Sequence, residues 1–92
     1  MRLYLDVTDG PHKGEKFSLN KKTSFGRKGA DYQLNDPKLS GIHVIFDYSD
    51  ETGWFVQDNQ SRNGVWVNGL KEIKLVLKDG DLIQIGSTKL VC

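Results

Sequence analysis

The apolar residues of this chain fall at every second position, in runs only a few residues long. Leu3, Leu5 and Val7 alternate with Tyr4 and Asp6, and Phe17 and Leu19 follow the same rule. Ile42, Val44, Phe46 and Tyr48 alternate with His43, Ile45 and Asp47, while Trp54 and Val56 share a face opposite Phe55 and Gln57. Val65 and Val67 flank Trp66, Ile83 and Ile85 alternate with Leu82 and Gln84, and Leu90 and Cys92 end the series. A period of two puts one set of side chains on each face of an extended strand. No window holds the ~3.6-residue period of an amphipathic helix.

Glycine punctuates these runs. The stretch 9–14, Asp-Gly-Pro-His-Lys-Gly, reads as a turn, and Asp79-Gly80 marks another before Leu82. Two Asn-Gly pairs occur, Asn63-Gly64 and Asn68-Gly69. Asn-Gly is the strongest short hairpin signal because both residues tolerate positive φ. Turns recur about every 8–12 residues, so the pattern predicts an all-β chain folded as a two-sheet sandwich.

Size and charge limit what such a sandwich can do. The chain has 92 residues, enough for one small domain. Thirteen basic against 12 acidic residues leave a net charge of +1. A near-neutral chain sets up no global field that draws in nucleic acid or a membrane surface. The one cysteine, Cys92, cannot form an internal disulfide. No stretch approaches the roughly 20 apolar residues of a bilayer span, and residues 1–10 lack the apolar core of a signal peptide. Without one, Asn59-Gln60-Ser61 matches the glycosylation pattern only by coincidence. These features predict a soluble cytoplasmic domain that is monomeric in isolation and binds neither nucleic acid nor membrane. It is expected to be the N-terminal module of a longer protein.

Ser40 and His43 raise the question of nucleophilic catalysis. No third group is evident to orient the imidazole, and no Gly-x-Ser-x-Gly elbow is present. On a strand the two side chains, an odd number of positions apart, point to opposite faces. Metal and cofactor chemistry finds no support either: His12, His43 and Cys92 are the only such donors and form no ligand-spaced cluster. The nucleotide-binding glycine loops are absent. Trp54 and Trp66 with Lys21 and Lys22 fit a single-strand binding groove, but their spacing equally suits core aromatics and a solvated turn. The core reading is the one adopted. What remains is polar residues at strand ends and glycine-marked loops: Arg27, Ser40, Arg62 and Asn63. A guanidinium offers a donor fork suited to phosphate, a serine hydroxyl a small donor, and an asparagine amide both a donor and an acceptor for peptide backbone.

Longer motifs carry a resemblance. Residues 25–36 (FGRKGADYQLND), 39–43 (LSGIH), 54–69 (WFVQDNQSRNGVWVNG) and 77–86 (LKDGDLIQIG) resemble the forkhead-associated (FHA) domain, in the family's order and across essentially the whole chain. The resemblance implies a β-sandwich of about eleven strands with binding loops at one end. It implies a non-enzymatic module, without metal or cofactor, that recognises phosphothreonine in partner proteins and so lies downstream of a Ser/Thr kinase. Arg27 and Ser40 are then the phosphate contacts, with the Gly41 backbone N–H beside them. Asn63 holds the peptide main chain and Arg62 makes a neighbouring contact. Gly26, His43 and Gly64 match loop-supporting positions. Two positions depart from the family pattern: Gly41 stands where Arg, Asn or Lys is frequent, and Val65 stands where Thr is usual. These departures keep open a phosphate-independent interaction or oligomerisation module on the same scaffold.

Overall fold

A computed structural model describes all 92 residues. It contains eleven strands and no helix. They are β1 (Leu3–Asp9), β2 (Lys16–Leu19), β3 (Thr23–Gly26), β4 (Tyr32–Gln33), β5 (Val44–Ser49), β6 (Gly53–Asp58), β7 (Val65–Val67), β8 (Leu70–Glu72), β9 (Lys74–Val76), β10 (Leu82–Ile85) and β11 (Thr88–Val91). Six form one sheet in the order β2-β1-β11-β10-β7-β8, and five form the other in the order β4-β3-β5-β6-β9. Only the short β3–β4 pair is parallel.

The alternation decides which side chains meet between the sheets. Leu3, Leu5 and Val7 of β1 are buried, as are Val65 and Val67 of β7, Ile83 and Ile85 of β10, and Leu90 of β11. Facing them are Phe25, Val44, Phe46, Trp54 and Val56 from the five-stranded sheet. Phe25 sits at the junction, edge-on to Phe17 (5.0 Å between centroids) and to Phe46 (5.5 Å). Edge-to-face rings add stability beyond the area they bury.

The turn chemistry acts where the sequence placed it. Asn68 (φ 52°) and Gly69 (φ 84°) both take the left-handed conformation and join β7 to β8 in the two-residue turn expected of Asn-Gly. The Asn68 side chain adds two bonds, donating to Asp81 Oδ1 (2.9 Å) and accepting the Leu82 N–H (3.0 Å). The second pair behaves differently. Only Gly64 has positive φ (83°), and Asn63-Gly64 lies in the loop before β7 rather than at a hairpin tip.

The structure corrects two face assignments. Alternation puts Ile42 with buried Val44, but Ile42 is 40% exposed and it is His43 that is fully buried. The strand begins only at Val44, so the period of two does not extend back through the irregular segment 40–43. Trp66, expected in the core, is 38% exposed. It faces outward because its neighbours Val65 and Val67 take the inward positions of a three-residue strand. Strands β3, β4, β8 and β9 carry no clear alternation and emerge from pairing with their neighbours.

The sandwich depends on Phe46, fully buried between the sheets. Phe46→Ala should cost about 3–5 kcal/mol, a large share of a small domain's stability, and chemical denaturation of the two proteins measures the difference directly.

Candidate functional site

The loops after β3, before β5 and after β6 gather at one end of the sandwich and enclose an open cleft of about 650 Å³. Arg27, Ser40, Gly41, Arg62 and Asn63, widely separated in sequence, all line it, together with Lys38. This is the convergence the motif positions call for.

Glycine 26 makes that convergence possible. A Cβ at this position would lie 1.8 Å from the Gly41 carbonyl oxygen, so no side chain fits while the two strand ends stay together. The requirement is close approach of backbones, not a positive φ. Beyond Gly26 the chain pairs with the Ser40 loop: the Arg27 N–H donates to the Ser40 carbonyl (3.0 Å) and the Lys28 N–H to the Gly41 carbonyl (3.1 Å). Arg27 Nε donates to the Leu39 carbonyl (3.2 Å). The guanidinium is thereby aimed by one of its nitrogens, which leaves the terminal N–H groups for a ligand.

Ser40 is held from both sides. Its N–H donates to His43 Nδ1 (3.0 Å), and its Oγ accepts the Arg62 N–H (2.9 Å). Since Oγ is already accepting, its own proton is the part left to donate. The Gly41 N–H has no acceptor within the chain.

His43 joins the two loops. Nδ1 accepts from the Ser40 N–H, and Nε2 lies 2.8 Å from the Gly64 carbonyl. A carbonyl can only accept, so Nε2 carries the proton and the imidazole is the neutral Nε2–H tautomer. Both nitrogens are engaged with backbone, so neither serves the Ser40 hydroxyl as a base. The arrangement answers the question of nucleophilic catalysis: His43 positions Ser40 and does not activate it.

Asn63 closes the other wall. Its Nδ2 donates to the Lys38 carbonyl (2.7 Å), tying the loop before β7 to the loop before β5. Its carbonyl accepts the Trp66 indole N–H (3.1 Å), so the exposed tryptophan holds this loop in place. Oδ1 has no partner within the chain and is free to accept from a peptide N–H. Gly64, with positive φ, supplies the carbonyl that His43 reads.

Two residues of the site were not singled out from the sequence. Asp36 is fully buried, and its carboxylate accepts the Ser87 N–H (2.9 Å), the Thr88 hydroxyl (2.8 Å) and the Lys38 N–H (3.1 Å). It pins the loop before β5 to the β10–β11 hairpin. Its place before Pro37, in the Asn-Asp-Pro turn, was the available signal. Lys38 lines the cleft as a third cation beside Arg27 and Arg62. The molecule's two ion pairs, His12–Glu15 and Lys16–Asp6, lie elsewhere, so all three cations are unpaired. No group of His, Cys, Asp and Glu side chains is placed to hold a metal.

Comparison with known proteins decides the family. Residues 23–86 match the FHA domain model. The chain belongs to the FHA family. It is 40% identical over 90 residues to the glycogen accumulation regulator GarA of Mycolicibacterium smegmatis, covering 95% of this chain and 56% of that protein. It is 35% identical over 89 residues to the oxoglutarate dehydrogenase inhibitor of Corynebacterium jeikeium, covering 95% and 61%. The chain thus spans only about three-fifths of the inhibitor's length, and a match to a zebrafish E3 ubiquitin ligase, rnf8, covers 10% of that protein. Among solved structures, the FHA domain of CT664 from Chlamydia trachomatis superposes with a TM-score of 0.89 at 26% identity, over 99% of this chain and 95% of that one. An FHA domain from work on phosphothreonine-dependent interactions gives 0.86 at 26% identity, over 99% and 94%. The FHA domain of FhaA, solved in complex with the intracellular domain of Rv3910, gives 0.83 at 27% identity, over 96% of each chain.

If His43 is the link between the loops, His43→Ala should cost about 2–4 kcal/mol of stability, because the Ser40 N–H and the Gly64 carbonyl are left unpaired in the interior. Thermal unfolding measures the loss, and a variant as stable as the parent refutes the role.

Proposed function

We propose that this FHA domain binds phosphothreonine-containing segments of partner proteins and so mediates phosphorylation-dependent association in signalling. The observation that carries the reading is the cleft itself: three unpaired cations, a serine hydroxyl with its proton free and an unpaired backbone N–H, all at one rim and with no carboxylate among the lining residues. Such a site favours an anion with several acceptor oxygens. A phosphothreonine brings about −1.5 to −2 charges and three such oxygens. The FHA structures described above, one from phosphothreonine-dependent work and one bound to a partner's intracellular domain, support the same reading.

In this assignment the Arg27 terminal N–H groups and the Ser40 hydroxyl hold the phosphate, with the Gly41 N–H as a third donor. Asn63 Oδ1 accepts from the peptide backbone and Arg62 lies alongside. Each bond to the charged phosphate contributes roughly 1.5–3 kcal/mol. Two or three of them supply roughly 3–9 kcal/mol; with the main-chain contacts to Asn63 added and the cost of ordering the peptide subtracted, affinity reaches at most the ~8 kcal/mol of a micromolar complex. The pre-set loops lower that ordering cost, because neither Ser40 nor Asn63 has to be repositioned. Gly41 forgoes a side-chain contact but keeps its backbone donor. A Cβ there would stand 3.2 Å from the Lys28 carbonyl, so the glycine also relieves crowding against the loop after β3. The kinase that writes the mark is a Ser/Thr kinase, and reading one phosphorylated residue is the phospho-motif mode of peptide recognition.

Arg27→Ala should weaken binding of a phosphothreonine peptide by at least ~2 kcal/mol, about 30-fold, with the fold intact. Isothermal titration gives the affinity, and an unchanged value refutes the assignment, as does equal binding of the unphosphorylated peptide. Affinity should also fall as pH drops below about 6, where the phosphate loses its second charge. A profile flat from neutral to acid pH contradicts recognition of the dianion.

A further inference from the structure

Trp66 stands on the outer face of β7, where it lines neither the core nor the cleft. Its one polar atom is nevertheless committed, since Nε1–H donates to the Asn63 carbonyl (3.1 Å). That carbonyl has no other partner within the chain. Lys71 lies opposite Trp66 on β8. Its stem packs over Gly64 so closely that a Cβ there would stand 2.7 Å from Lys71 Cε. Two side chains of the β7–β8 hairpin thus back the Asn63-Gly64 unit from outside. From the other side, Asn63 Nδ2 donates to the Lys38 carbonyl (2.7 Å), and the Gly64 N–H donates to Ser61 Oγ (2.9 Å). The peptide group between Asn63 and Gly64 is therefore held at both ends, its C=O by Trp66 and its N–H by Ser61. Glycine is conformationally permissive and would not fix that peptide group by sterics.

We propose that Trp66 is a positioning residue for peptide binding, its indole N–H holding the Asn63 main chain so that the side-chain Oδ1 is set for a ligand in advance. The inference rests on the reading of Asn63 as the acceptor for the peptide backbone. Trp66 suits the task because it stands on rigid ground. It belongs to β7, which is paired with β10 on one flank and β8 on the other, with Gln84 and Lys71 as its cross-strand neighbours. The loop that carries Asn63 has no such ladder. The indole is a donor only, on a ring with just two side-chain torsions, so it ties the loop to the sheet at little entropic cost. A loop pre-set in its bound form loses less freedom on binding than one that must be ordered. Phenylalanine would supply a similar ring without the donor, so the N–H is the part that matters. The link works in both directions. A peptide held at Asn63 is felt at the indole, on a face of the molecule that does not line the cleft.

Calorimetric titration with a phosphothreonine peptide and nitrogen–proton correlation spectra of the same 92-residue protein test the proposal. Trp66→Phe should lower peptide affinity about 3- to 10-fold, the equivalent of one lost hydrogen bond. Made on top of Asn63→Ala, the same change should cost less than ~2-fold, because Trp66 acts through Asn63 and the two effects are not additive. The chain has two indole N–H groups, of Trp54 and Trp66, and Trp66→Phe shows which signal is which. In the parent protein the Trp66 signal should shift as the phosphorylated peptide binds and stay in place with the plain one. That titration uses the parent and so stands even where a variant folds poorly. Three results overturn the proposal: a Trp66→Phe protein that binds as tightly as the parent, an indole signal that peptide leaves unmoved, or an equal loss of affinity with and without the Asn63 side chain. The last would mark a role in folding alone. A parent protein that binds phosphorylated and plain peptide alike, or neither, overturns the reading of the cleft and this inference with it, so the parent's titration tells the two failures apart.

Discussion

The imidazole of His43 is tied to backbone at both nitrogens, and the loops around the cleft are organised around it. One nitrogen accepts the Ser40 N–H and the other donates to the Gly64 carbonyl. The two loops it joins are not paired with each other in a sheet, and each would otherwise leave a polar group buried without a partner. Interior polar groups are costly when unpaired, so a satisfied network is strongly preferred over a partly satisfied one. The ring is fully buried, which removes competition from water and fixes its orientation. Ser40 is therefore placed before any ligand arrives. The same ring on an exposed surface would confer far less order.

Around that link, the site separates charge from support. Asp36 is the one fully buried acid of the molecule, and its carboxylate is turned inward to three donors of the loop and the β10–β11 hairpin. Arg27, Lys38 and Arg62 are turned outward and left unpaired. A local positive field arises on a chain whose net charge is +1 because the tertiary arrangement segregates the signs. Global composition argued only against a long-range field that draws in nucleic acid or membrane, and a cluster of three side chains at one rim does not register in it.

Backbone proximity imposes the remaining constraint. Gly26 is required because the Gly41 carbonyl occupies the space of a side chain, and the ladder from residues 26–28 to 39–41 can form only at that separation. Strand edges obey a similar economy. One flank of the sandwich is closed by the tilted contact of Phe17 with Tyr32, and the other carries the exposed side chains of Leu70, Ile73 and Val76.

The period of two, the Asn68-Gly69 turn and the spacing of Arg27, Ser40 and Asn63 were legible in the residues alone. They depend on local physics: alternation of faces, tolerance of positive φ and the donor inventory of each side chain. The resemblance to FHA domains then joined those positions into one site. Other features were not legible. Ile42 and His43 exchanged their expected exposures because the strand stops at Val44. Trp66 faced solvent because its two valine neighbours filled the core positions, and β3, β4, β8 and β9 showed no period of their own. Asp36 and Lys38 went unnoticed because their roles depend on partners about 50 and 25 residues away. The sequence by itself determined an all-β chain, its turns and the chemical groups available for binding. Only the tertiary structure decided which of those groups share one cleft, which way His43 faces and which sheet edge stays open, because these depend on contacts between segments whose separation no local pattern records.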